Sequence, residues 1–118
     1  MLDQDRIHKL FKMAEHQRKI AEDYAEQRAL ATKHRLDFEM LLIAELESIR
    51  FDKPNVGIEM ANLMLMERVK EAKDVYKDWQ MAEAKYKGLE KIIESGATEL
   101  MFHQTVMNWS AKGEKYGN

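Results

Sequence analysis

Four histidines and a scatter of carboxylates are the side chains with which this chain could do metal or acid–base chemistry. Asp5 with His8 and Glu99 with His103 sit at helical spacings that place two ligands on one face. A di-iron bundle asks for more, a Glu-x-x-His pair on each of two helices together with further inward carboxylates. Neither pair supplies that, so no metal and no cofactor is expected and the histidines read as surface or seam residues. His103 is expected to be a partly buried, hydrogen-bonded one. No P-loop, GxGxxG, GxSxG, HExxH or EF-hand spacing occurs. The absence of cysteine excludes a disulfide framework, a thiol nucleophile and a Cys-type zinc site. The chain is therefore expected not to be an enzyme.

The lysines are the next candidates. Nineteen Lys and Arg stand against 21 Asp and Glu, for a formal charge of −2 and a pI near 6.1. Without a basic excess over the whole chain, any contact with nucleic acid must be local. Lys70, Lys73, Lys77, Lys87 and Lys91 fall on the b and f positions of a heptad, with Glu67, Glu71, Asp74, Asp78, Glu83 and Glu90 on its flanks. On one helix they form a stripe of roughly 30 Å, the reach of several nucleotides of extended single strand. The same pattern is also the ordinary solvated face of a coiled coil, laced by pairs such as Glu83 with Lys87. Lys112 and Lys115 lie close to Trp109 and Tyr116, and with Phe102 they could add stacking to phosphate contacts. A smaller basic run is Lys9, Lys12, His16 and Lys19.

These residues must be positioned by helices. At 118 residues and 13.9 kDa the chain is one domain. The only break signal is the stretch 51–57, which holds the sole proline, Pro54, with Asn55 and Gly57. The predicted fold is all-α, a long two-helix hairpin with a helix over about 5–50, a turn at 51–57, a helix over about 58–110 and a flexible tail at 111–118. In the second helix Ile58, Leu65, Ala72, Trp79, Tyr86, Ile93, Leu100 and Met107 recur every seven residues. The companion positions are Ala61, Arg68, Val75, Ala82, Leu89, Gly96 and His103, so a seam that supercoils against another helix is expected. Trp79 and Tyr86 are core residues by this phase. Ser95-Gly96 is expected to kink the helix without ending it.

Near the turn the pattern loses its sidedness. Met40-Leu41-Leu42-Ile43 covers every side of the first helix, and residues 60–66, Met-Ala-Asn-Leu-Met-Leu-Met, nearly do the same in the second. Burying a large apolar side chain is worth about 1.5–3 kcal/mol, and a lone hairpin would leave many of these in water. The expectation is a coiled-coil-like homo-oligomer held through Leu41, Leu42, Leu63 and Met64. The alternative is a third short helix folding back over the patch. Nine methionines suit an adaptable interface or ordinary core filling. The start, Met1 to Asp5, does not read as a signal peptide, and no apolar run reaches the roughly 18 residues needed to span a bilayer. A soluble, cytoplasmic protein with no membrane partner is expected.

Tyr86-Lys-Gly-Leu89-Glu90-Lys-Ile92-Ile93, followed by Val106-Met107-Asn108-Trp109, resembles the end of the phage recombination mediator family UvsY. Ala31-Thr-Lys33-His-Arg35-Leu36-Asp37-Phe38 is similar to the end of that family's first long helix. Two departures accompany the resemblance. Ser95-Gly96-Ala97-Thr98-Glu99-Leu100 stands where the family tends to show a basic and hydroxyl pattern around an Arg, and the segment before the first helix is short. The resemblance implies a phage-encoded, oligomeric, non-enzymatic protein in the host cytoplasm. It would bind single-stranded DNA and help load a recombinase onto strands coated by a single-strand binding protein. Lys70, Lys73, Lys77, Lys87 and Lys91, with Lys112 and Lys115, would then be the phosphate contacts. The competing class is a structural, adaptor or inhibitor coiled-coil protein acting through protein contacts alone.

Overall fold

The structure, a computed structural model, describes the backbone of residues 4–116 and the side chains of residues 4–109. Among the described residues every regular element is helical: α1 (Gln4–Asp52), α2 (Ile58–Arg68) and α3 (Lys70–Tyr116). α1 runs 49 residues without Gly or Pro, in a sequence dominated by residues that lose little entropy in a helix. It stops where Pro54 disfavours helical backbone at Lys53. The Lys53 N–H donates to the Ile49 carbonyl at 2.9 Å, and the Val56 N–H to the Lys53 carbonyl at 3.2 Å. Gly57 then caps α2 in extended conformation, with no side-chain oxygen bonding the first turn.

The helix expected over 58–110 is two helices. Val69 leaves helical geometry at φ −123° and ψ 109°. Its N–H still donates to the Leu65 carbonyl at 2.8 Å, and its carbonyl accepts from the Ala72 N–H at 3.1 Å. A β-branched residue tolerates this extended backbone readily. The redirected Arg68 donates from Nη1 to the Ser48 hydroxyl at 2.9 Å and forms an ion pair with Asp52. α3 continues past Ser95-Gly96 without ending, and it reaches Tyr116, beyond the expected end near 110. Residues 111–116 of the expected tail are thus helical backbone, and 117–118 lie outside the described residues.

Packing divides the chain into two units, residues 26–85 and residues 1–25 with 86–118. The first unit holds the denser core. Phe38, Leu42 and Ile49 of α1 meet Ala61 and Leu65 of α2 and Ala72 of α3. Phe38, only 2 % exposed, lies 5.5 Å from the ring of Tyr76 and 5.8 Å from that of Trp79. The heptad phase read from the sequence therefore holds along α3. Ala72 and Ala82 are buried, and Val75, Trp79, Tyr86, Leu89, Ile93, Leu100, His103 and Met107 are half-buried.

In the second unit α1 and α3 pack antiparallel, with Tyr24 edge-on to Tyr86 at 6.0 Å. Nearer the chain's N-terminus Leu10 and Phe11 face Leu100 and Met107 across a small apolar hollow of about 260 Å³. α1 also carries a seam that composition conceals. Leu10, Met13, Gln17, Ile20, Tyr24, Gln27, Ala31, His34, Phe38, Leu41 and Glu45 alternate three and four residues apart, and each is buried or half-buried. Polar Gln17, Gln27 and His34 on that seam hide its period from an apolar count.

Candidate interaction surfaces

Of the four residues expected to hold copies together, Leu42 is not available. Its side chain belongs to the core of its own chain, with Leu41 and Met64 half-buried against that core. Leu63 alone among the four is exposed. Ala61 and Leu65 of α2 pack with Leu42 in that core.

A different apolar face remains in water. Leu36, Met40 and Ile43 are 49 %, 70 % and 71 % exposed. Their i, i+4, i+7 spacing sets them on one side of α1, roughly opposite the side that carries Phe38, Leu42 and Ile49 into the core. Phe51, Ile58 and Leu63 are exposed around the turn. Monomeric proteins seldom leave contiguous apolar patches uncovered, whereas single exposed apolar residues are ordinary. Between Leu36 and Ile49 the charged residues are Asp37, Glu39, Glu45 and Glu47, with no Lys or Arg. Glu39 of this acidic stretch pairs with Arg35 one turn earlier, at 3.8 Å.

The lysines all face solvent where they are described. Lys70, Lys73 and Lys77 belong to the unit 26–85, and Lys87 and Lys91 to the other. Residues 26–85 hold ten Lys and Arg against twelve Asp and Glu, so that unit carries no basic excess. Lys73 and Lys77 instead edge an open groove of about 670 Å³ whose floor is Met66, Tyr76, Met81 and Ala84. Asp74 and Gln80 complete its polar rim. Lys91 borders a shallower depression beside His16 and Glu99. Lys112 and Lys115 lie on the last turns of α3, and their side chains fall outside the described residues.

The aromatic and histidine expectations divide in the same way. Phe102 and Trp109 are exposed, Trp109 by 73 %. Phe102 stands edge-on to His103 at 5.8 Å. His103 is half-buried with Nε2 3.8 Å from Glu99. Among the described residues no three His, Asp or Glu side chains converge as a ligand set. No described helix is long and apolar enough to cross a membrane.

Two features had no readable signal in the sequence. Arg68 sits at a heptad seam position, yet it points to Asp52 and Ser48. Asn62 buries its Oδ1 without a hydrogen-bond partner. What fold and surface define together is an all-helical chain with an aromatic-centred core and apolar faces open to solvent. Compared with known proteins, it matches no family model, no curated protein and no solved structure.

Proposed function

We propose that this chain is a non-catalytic, self-associating helical adaptor that works through protein–protein contacts. The carrying observation is the face of Leu36, Met40 and Ile43, exposed on α1 although the core of the same unit is fully supplied by other residues. An uncovered i, i+4, i+7 set is the anchor pattern by which helices dock. The charge balance of residues 26–85 weighs in the same direction, because a phosphate-binding surface needs a local basic excess and acids outnumber bases there.

The test is sedimentation equilibrium of the full chain over a range of concentrations, beside Met40→Glu/Ile43→Glu. Wild type should associate, and the double variant should remain helical and form smaller species. A wild type that stays monomeric at high micromolar concentration sinks the proposal. Binding of single-stranded DNA that weakens steeply with salt would move the function to the recombination-mediator reading.

A further inference from the structure

We infer that the groove edged by Lys73 and Lys77 receives the exposed α1 face of a second copy, so that copies join head to tail. The inference rests on the self-association proposed above and names its two surfaces. Both belong to the unit 26–85; Leu36, Met40 and Ile43 of the face and Met81 and Ala84 of the groove lie outside its core, against which Met66 and Tyr76 also pack. The groove has an apolar floor of Met66, Tyr76, Met81 and Ala84, in which two methionines adapt to a knob of variable shape. The face offers Leu36, Met40 and Ile43 as the knobs.

Length and charge agree. Leu36 to Glu47 and Lys73 to Ala84 are twelve residues each, eleven helical steps or about 16 Å along a helix. Between Leu36 and Glu47 the charged residues, Asp37, Glu39, Glu45 and Glu47, are all acidic, with Lys33, Arg35 and Arg50 beyond the two ends. The groove presents Lys73 and Lys77 with one acid, Asp74, between them. Two copies of the acidic face brought together would set like charges against each other, whereas the acidic face on the lysine-edged groove sets them in attraction. Because the two surfaces differ, the contact is heterologous. Each added copy leaves one groove and one face open, and assembly closes into a ring or continues as a filament.

The experiment uses charge reversal on exposed positions, with circular dichroism to verify folding and light scattering and sedimentation to read mass. Lys73→Glu/Lys77→Glu and Asp37→Lys/Glu47→Lys should each abolish species above the monomer at concentrations where wild type assembles. Mixed together, the two variants match both ways, the wild-type face on the wild-type groove and the lysine face on the glutamate groove, and should assemble again as alternating copies. A chain carrying all four substitutions has its charges exchanged and should assemble again. If the face variant loses assembly while the groove variant assembles like wild type, the face pairs with itself; the inference falls and self-association stands. Two monomeric variants that neither combine on mixing nor recover in the fourfold chain also overturn it. A monomeric wild type removes the inference and the proposed function together.

Discussion

The side-chain carboxamide of Gln17 occupies the space where a β-carbon at Gly96 would stand. This close approach gives a reason for a glycine in the middle of α3, where glycine is otherwise unfavourable by roughly 1 kcal/mol relative to alanine. It also explains why the helix passes Ser95-Gly96 unbroken, since the missing side chain is used for packing against α1. Gly88 has open space around it. Gly88→Ala should therefore raise the melting temperature by the full helix-propensity gain, and Gly96→Ala by less, because Gln17 must swing aside. Combining Gly96→Ala with Gln17→Ala should recover the difference, which thermal melts of the three variants beside wild type would measure.

Phe38 is the centre of the aromatic cluster with Tyr76 and Trp79, whose own rings stand edge-on at 5.7 Å. Phe38→Ala should destabilise by about 3–5 kcal/mol, and half-buried Trp79→Ala by somewhat less. Lys77→Ala, on the outward face, should change folding stability by less than about 0.5 kcal/mol. Urea titrations would check the order, and a Lys77 effect equal to that of Trp79 would contradict the seam.

Leu42 and Ile43 are neighbours with opposite surroundings, the first in the core and the second exposed. Leu42→Glu puts an unpaired charge into the core and should unfold the unit or abolish its cooperative melt. Ile43→Glu should leave helicity and melting nearly unchanged while weakening association. A folded Leu42→Glu chain would refute the assignment of α1 faces.

Asn62 holds an acceptor oxygen that is buried and makes no hydrogen bond. Such a group costs about 1–3 kcal/mol of desolvation. Asn62→Leu, of similar size and a better helix former, should raise stability by on the order of 1 kcal/mol, read as a shift of the urea midpoint at unchanged slope. A loss of stability would mean that the amide does structural work through contacts other than its oxygen.

By itself the sequence determined that the chain is helical, that it turns near Pro54, and which side of α3 packs inward. Those features come from propensity and a seven-residue repeat carried by apolar side chains, which local chemistry expresses directly. Only the tertiary structure decided the rest. The α1 seam runs through Gln17, Gln27 and His34, so no apolar period marks it, and four apolar residues in a row cannot say that Leu42 goes in while Met40 and Ile43 stay out. The break at Val69 carries no Gly or Pro and the heptad passes straight across it. It arises because α2 gains more by placing Ala61 and Leu65 against Phe38, Leu42 and Ile49, with Arg68 reaching Asp52, than one helical residue loses by becoming extended. That comparison is between distant segments, and no window of sequence contains it.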